Sequence, residues 1–303
     1  MTIGYIGLGK MGKSMVFHLL EKDIPVVAWN RSPEPRYEVS EAGAIGVESI
    51  EELVTTLETP RIVWLMLPPG SPTEEMIKTL SPLLDEGDLI IDGGNSFYKD
   101  SIRHAKELHG NGIHFMDIGV SGGPDGARNG ACLMIGGDPQ DYPRIEHLIK
   151  AISVPDGYVY CGEVGAGHFA KMIHNGIEYG MMEAIAEGAS VLKHSPFNFD
   201  LTSVFGAFNK GSVIQSSLIG WGEEAFRENP NLDAVASHID HTGEGEWTVK
   251  TAKELNVPVP VIKSSYDVRV KSSKDEWDSP AGFRNKVVSA LRGKFGGHDV
   301  MVK

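Results

Sequence analysis

What this chain has little of narrows its role first. Its 303 residues hold two cysteines, Cys132 and Cys161, and neither sits in a CxxC or Cys/His spacing that suggests zinc or thiol redox chemistry. Both are expected to be reduced core residues. Basic charge is also short. Against 41 Asp and Glu stand 28 Lys and Arg, a net of -13, with no block of cations anywhere. Nucleic acid and anionic membranes are therefore poor partners. No apolar run approaches the roughly 20 residues that cross a bilayer. The opening Met1-Thr-Ile-Gly-Tyr-Ile-Gly lacks a basic leader and cleavage site, so the expected location is the cytoplasm. So acidic a chain repels anions at long range, and any phosphate or carboxylate it binds must meet a local cluster of cations and backbone N–H groups.

A hydrophobic content of 41% over this length suffices for one large domain or two ordinary ones. To about residue 165, short β-rich runs alternate with helical patterns: Thr2–Ile6, Pro25–Trp29, Arg61–Leu67, Asp88–Asp92, Ile113–Val120, Cys132–Ile135 and Tyr158–Cys161. That rhythm predicts an α/β fold with a mostly parallel, doubly wound sheet of Rossmann type. The unbroken apolar runs 62–67 and 89–91 suit strands covered on both faces. Past Gly167 the strand signal fades into helical stretches at His168–Lys193, Ser217–Arg227, Trp247–Leu255 and Ala281–Arg292. The expected organisation is a dinucleotide-binding domain over residues 1–165 and an all-helical domain over 166–303, for substrate and oligomer contacts.

Gly7-Leu8-Gly9-Lys10-Met11-Gly12 follows the first strand and opens an amphipathic stretch, Met11–Leu20, which is the setting a GxGxxG fingerprint requires. Its glycines permit a tight turn, a close pyrophosphate and close helix–strand packing, and the helix start offers free N–H groups. About 20 residues on, an Asp or Glu would select NAD by bonding the ribose 2′-hydroxyl. Here Trp29 leads instead into Asn30-Arg31-Ser32, a guanidinium with two small polar donors, which suits the 2′-phosphate of NADP. NAD stays open as an alternative.

In the segment Gly165-Ala-Gly-His-Phe-Ala-Lys171-Met-Ile-His174-Asn175-Gly-Ile-Glu178-Tyr179, polar residues fall three, four, seven and eight positions after Lys171, on one helical face. The plain alternative is a solvated Lys–Glu face, for which His and Asn are poor choices. His238 and His241 lack a third ligand and read as a polar helix end rather than a metal pair.

This segment resembles the active-site helix of 6-phosphogluconate dehydrogenases. Ile91-Asp-Gly-Gly-Asn95-Ser96 and Val120-Ser121-Gly122-Gly123 resemble two of their substrate loops, and the likeness runs on through Gly243-Glu-Gly-Glu-Trp247-Thr248 to Arg292-Gly-Lys-Phe-Gly-Gly-His298. The length matches a short bacterial form. The resemblance implies NADP-linked oxidation and decarboxylation of 6-phosphogluconate to ribulose 5-phosphate, with no metal. It makes Lys171 the base that takes the 3-hydroxyl proton and returns it, and Glu178 the acid that protonates C1. Lys171 must start neutral, although a free lysine titrates at about 10.4, so burial or nearby cations must favour its neutral form.

Substrate contacts implied are Asn95, Ser121, Gly122, Gly123, His174 and Asn175, with Tyr179, Arg269 and Arg292 on the 6-phosphate and His298 as a further contact. The cofactor contacts expected are Gly7, Leu8, Gly9, Met11, Gly12, Asn30, Arg31, Ser32, Leu67, Pro68 and Asn95. Where long members of the family carry Lys and Thr before Gly-x-Trp, this chain has Thr242 and Glu244. Glu244 would repel a phosphate unless it turns outward, which leaves an unphosphorylated sugar acid as an alternative. In the relatives the Arg-x₃-Phe-Gly-x-His tail enters a neighbouring subunit, implying a homo-oligomer, and Gly293, Gly296 and Gly297 suit a flexible arm. Two other readings stay open: a dehydrogenase of another 3-hydroxy acid without decarboxylation, and a dinucleotide-binding sensor without catalysis.

Overall fold

The computed structural model describes residues 1–240, 243–297 and 299–300. It divides into two compact units, Met1–Lys171 and Met172–Lys303, with the boundary inside one long helix.

The first unit carries an eight-stranded sheet: β1 (Ile3–Ile6), β2 (Val26–Trp29), β3 (Ile45–Gly46), β4 (Ile62–Leu65), β5 (Leu89–Asp92), β6 (His114–Ser121), β7 (Ala131–Gly136) and β8 (Ser153–Gly162). Interleaved are α1 (Lys10–Glu21), α2 (Pro33–Glu41), α3 (Ile50–Thr56), α4 (Ser71–Leu80), α5 (Tyr98–His109), α6 (Gly123–Asn129) and α7 (Tyr142–Ile152). Spatial order is β3-β2-β1-β4-β5-β6-β7-β8. β3 through β6 run parallel, and β6 and β7 pair antiparallel, with Ser121 opposite Cys132. Every residue of β1, β4 and β5 is buried, as apolar strands covered on both faces must be. The order reverses at β1 and β4, where open α/β sheets part to admit a ligand.

The second unit is helical: the rest of α8 (Ala166–Lys193), then α9 (Leu201–Phe208), α10 (Ser217–Glu228), α11 (Glu244–Glu254), α12 (Pro260–Lys271) and α13 (Pro280–Gly296). Its core joins Met182 and Ala186 of α8 to Phe205, Phe226, Val287 and Leu291. Local chemistry starts these helices. The side chains of Asp200, Ser216 and Ser279 accept first-turn N–H groups of α9, α10 and α13, and Pro260 and Pro280 occupy first helical positions.

The sequence reading missed β3, α9 and α12, all short or weakly patterned. Three of its expectations are overturned. Cys132 is exposed rather than in the core, the one exposed residue of β7, at its second position; Cys161 is half-buried. Gly293 and Gly296 lie within α13, not in a flexible arm: Phe295 packs against Trp221, Lys294 pairs with Glu228, and only Gly297 leaves the helix, as its left-handed cap. His238 sits in the loop before α11 rather than at a helix end, facing Asp240 at 3.0 Å. No group of three metal-ligating side chains occurs among the described residues.

Candidate active site

Parallel pairing sets the cofactor edge. Ile6 lies beside Trp29 and Leu65, and Leu65 beside Asp92, so Gly7, Asn30, Leu67 and Asn95 all leave strand ends on the same side of the sheet. Ser121, the last residue of β6, joins them because β6 runs parallel to β5. Each fingerprint glycine has its own reason. Gly7 turns at φ 99°, a conformation that strains any side chain, and a Cβ there would meet the Met66 carbonyl oxygen at 2.4 Å. A Cβ on Gly12 would sit 2.0 Å from the Gly7 carbonyl oxygen, so the close packing of α1 on the turn demands its absence. Around Gly9 nothing lies within 4 Å. That open space sits at the start of α1, whose first turn has no side-chain cap and no acidic residue. It is the cradle a pyrophosphate needs, and these residues fit a dinucleotide. Leu8 N–H donates to Asn30 Oδ1 at 2.9 Å, and Asn30 Nδ2 donates to the Ser32 carbonyl at 3.0 Å, so Asn30 ties the fingerprint to the end of β2. Arg31 and Ser32 are exposed beside it. Met11 packs against the sheet core, and the Pro68 carbonyl accepts from Thr73 Oγ1 at 2.8 Å.

Asp117 fixes how α8 begins. Its carboxylate, fully buried in β6, accepts the Gly165 N–H at 2.6 Å and the His168 N–H at 2.7 Å, and His168 Nδ1 meets Ser101 Oγ at 2.7 Å. Sequence reasoning missed Asp117. The available signal was a charged residue inside an otherwise apolar strand, which burial tolerates only with partners.

Along α8 the polar stripe is not a solvated face. Asn175 is 8% and Tyr179 5% exposed, Lys171, His174 and Glu178 are half-buried, and the exposed residue is Ile177. His174 Nδ1 lies 3.1 Å from Asn175 Oδ1 and 3.8 Å from Glu178 Oε2. Gly176 and Gly245 let α11 close on this helix: a Cβ on Gly176 would meet Thr248 at 2.7 Å, and one on Gly245 would meet the Tyr179 ring at 2.5 Å. Thr248 Oγ1 donates to the Met172 carbonyl at 2.9 Å.

The second unit gathers the cations the acidic chain requires. Arg269 is 3% exposed and lays its guanidinium 3.3 Å from the centre of the Tyr179 ring. Burial holds its pKa below the ordinary guanidinium value, and the neighbouring Arg292, 6% exposed, adds to that. Burial likewise raises the Tyr179 hydroxyl, against the charge of Arg269. Neither arginine forms an ion pair with a carboxylate among the described residues. Buried cations left so carry a desolvation cost that a bound anion would offset. Arg292 stands near Tyr179 and Arg269 of its own chain, in α13 rather than in an extended arm. Glu244 is 6% exposed and does not turn outward into solvent. Gly122 and Gly123, at φ 124° and 62°, form the turn into α6 after Ser121. His298 and Thr242 lie outside the described residues.

Comparison with known proteins matches residues 2–165 to the NAD binding domain of 6-phosphogluconate dehydrogenase and residues 167–297 to that enzyme's C-terminal domain. The Bacillus subtilis protein YqeC is 45% identical over 298 residues, covering 98% of each chain. An NAD(+)-dependent, decarboxylating 6-phosphogluconate dehydrogenase of Haloferax volcanii is 38% identical over 305 residues, covering 100% of this chain and 99% of the relative. Among solved structures, Plasmodium falciparum 6-phosphogluconate dehydrogenase, known apo, with its cofactor NADP+ and with its substrate 6-phosphogluconate, superposes with a TM-score of 0.82 at 29% identity, over 96% of this chain and 70% of that one.

Proposed function

This chain belongs to the 6-phosphogluconate dehydrogenase family, and from that premise we propose that it oxidises and decarboxylates 6-phospho-D-gluconate to ribulose 5-phosphate and CO₂, with NADP preferred over NAD. The observation that carries the reading is the stripe on α8, where an amine and a carboxylate stand seven residues apart on one half-buried face. A binding module without chemistry has no use for that pair.

Gly7, Leu8, Gly9, Met11, Gly12, Asn30, Leu67, Pro68 and Asn95 would hold the dinucleotide, with Arg31 and Ser32 on the 2′-phosphate. When bound, the nicotinamide ring supplies the acceptor for the C3 hydride. Lys171, neutral at the outset, takes the 3-hydroxyl proton. It then returns that proton to the keto oxygen as the C1 carboxylate leaves as CO₂, so no free enolate charge develops. Glu178 gives the resulting enediol a proton at the substrate's C2, which becomes C1 of ribulose 5-phosphate, while Lys171 takes the proton back from the hydroxyl that becomes the product's ketone. His174, Asn175, Asn95, Ser121, Gly122 and Gly123 orient the sugar acid. Arg269 and Arg292, with Tyr179, take the 6-phosphate, and His298 adds a contact.

The NADP preference is supported by Arg31, exposed at the end of β2 where no carboxylate stands to meet a ribose hydroxyl. Against it, the Haloferax relative uses NAD(+). A homo-oligomer is supported by apolar side chains exposed on the second unit, Ile177 and Met181 of α8 and Val261 of α12.

One observation favours a second substrate: buried Glu244 raises the Tyr179 pKa and so shares its surroundings, opposing a phosphate there. The test uses 6-phosphogluconate and, separately, gluconate, each with NADP or NAD, while reduced cofactor and CO₂ are followed together. One CO₂ per reduced NADP from 6-phosphogluconate supports the reading. Reduction without CO₂ would make the chain a simple 3-hydroxy acid dehydrogenase, and faster turnover of gluconate would give Glu244 the deciding role.

A further inference from the structure

The start of α8 is held from a distance, and the holding residues converge on Lys171. Asp117 and Gly119, two apart on β6, share a strand face. Asp117 takes two first-turn donors of α8, Gly165 N–H and His168 N–H, from a strand 48 and 51 residues earlier. Those donors belong to the set a helix leaves unpaired at its start, and a carboxylate is the acceptor favoured there.

One turn further along, Lys171 leaves the helix directly over Gly119. A Cβ on Gly119 would stand 2.4 Å from Lys171 Cβ, 3.0 Å from its Cγ and 3.2 Å from the Gly167 carbonyl oxygen. Gly167 is pressed in the same way, with a Cβ there 2.4 Å from the Asp117 carbonyl oxygen and 2.5 Å from that of Met134. A Cβ on Gly136 would lie 2.6 Å from Asp117 Oδ1 and 2.7 Å from the Gly167 nitrogen. Three glycines and one carboxylate therefore bring the helix backbone down onto β6 and β7. Gly119 is not among the glycines at positive φ, so its lack of a side chain serves this approach and no turn.

We propose that Gly119 and Asp117 are positioning residues for Lys171: the carboxylate pins the first turn of α8, and the bare backbone at 119 is the seat against which the lysine stem rests. This rests on Lys171 being the base. Carbon atoms in contact settle at about 3.5–4.0 Å, so a methyl at 119 must displace the Lys171 stem by about 1 Å, and misplacement on that scale costs on the order of 100-fold in rate.

The experiment compares Gly119→Ala, Asp117→Asn and Lys171→Met by single-turnover reduction of NADP with 6-phosphogluconate. Cofactor binding, thermal melting and amide exchange at Gly165 and His168 are measured alongside. Gly119→Ala should lose on the order of 100-fold in kcat while the Kd for NADP changes less than about threefold. The acid limb of its kcat profile should move along the pH axis, because a displaced amine exchanges the surroundings that set its proton affinity. A loss of folding alone would leave that profile in place. Asp117→Asn, near-isosteric but with one oxygen replaced by a donor, should speed exchange at Gly165 and His168 and lower kcat less. Should Gly119→Ala fail to fold, Asp117→Asn carries the test, and a full rate combined with faster exchange at those amides overturns the proposal. If Lys171→Met is inactive while Gly119→Ala runs at the parent rate with an unmoved pH profile, the positioning role alone is wrong. If Lys171→Met still reduces NADP at a near-parent rate, the assignment of the base is what has failed.

Discussion

Single side chains carry the sharpest expectations. Lys171→Met removes the group proposed to take the 3-hydroxyl proton, so reduction of cofactor should be abolished in stopped-flow absorbance. Glu178→Gln keeps the shape and removes the acid proposed to protonate the enediol, so the hydride step should survive while formation of ribulose 5-phosphate slows; rapid-quench analysis separates the two. Arg31→Ala should weaken NADP by about ten- to a hundredfold, the worth of one charge-assisted hydrogen bond, and leave NAD nearly unchanged. Equal losses for both cofactors would remove Arg31 from the 2′-phosphate. Much of this was legible in the sequence, because the 3.6-residue period converts the spacing of Lys171, His174, Asn175, Glu178 and Tyr179 into one face without any tertiary knowledge. The sequence could not reveal the stacking of Arg269 on Tyr179 at 3.3 Å or the burial of Glu244, since both depend on how α11 and α12 pack against α8.

At the scale of elements, the turn from β1 into α1 separates two glycines that look alike in the sequence. Gly9 has open space and an ordinary φ of -67°, so Gly9→Ala should fold as the parent and bind dinucleotide poorly, its methyl occupying the phosphate cradle. Gly12→Ala should instead destabilise the unit by about 1–3 kcal/mol or more, as an overpacked contact does, because the new methyl meets the Gly7 carbonyl oxygen at 2.0 Å. Urea melts and cofactor titration of both variants check the contrast. Within the second unit, Glu183 of α8 faces Arg284 of α13 at 3.2 Å yet is only 5% exposed, and its desolvation outweighs that pairing and raises its pKa. Asp275 also pairs with Arg284, Arg269 attracts, and Glu187 repels. A carboxyl with a raised folded pKa stabilises most below its unfolded value and loses that contribution as pH rises through the folded one. Glu183→Gln should therefore gain urea resistance relative to the parent as pH rises from about 4 to 8, with Arg284 still paired to Asp275. A constant difference across that range would rule the ionisation out. Short apolar runs located seven of the eight strands, and the 3.6-residue period located α1, α8, α10, α11 and α13. They missed the two-residue β3, which has too few positions for any period to register.

On the scale of the whole molecule, an acidic chain buries two of its arginines, Arg269 and Arg292, where an anion can meet them at short range. No helix among the described residues is long and apolar enough to cross a membrane. The second unit nevertheless shows apolar surface: Ile177 at 53% and Met181 at 42% exposure on α8, and Val261 at 65% on α12, whose Cγ1 would lie 3.3 Å from a Cβ built on Gly180. Such clustered exposure marks an association surface more often than a solvent face. Sedimentation of the parent should show an oligomer, and the double variant Ile177→Glu with Val261→Glu should shift it toward monomer without lowering its melting temperature in proportion. A parent that sediments as a monomer would end the oligomer reading. The sequence by itself determined the fold class, the fingerprint turn and the polar face of α8, because each is a local pattern of spacing that backbone geometry converts directly into shape. Only the tertiary structure decided where α8 starts, since its cap is a carboxylate from β6 and its seat three glycines drawn from β6, β7 and the helix itself. Contacts between segments tens of residues apart leave no periodic trace in a chain; they exist only once the sheet has brought those segments together.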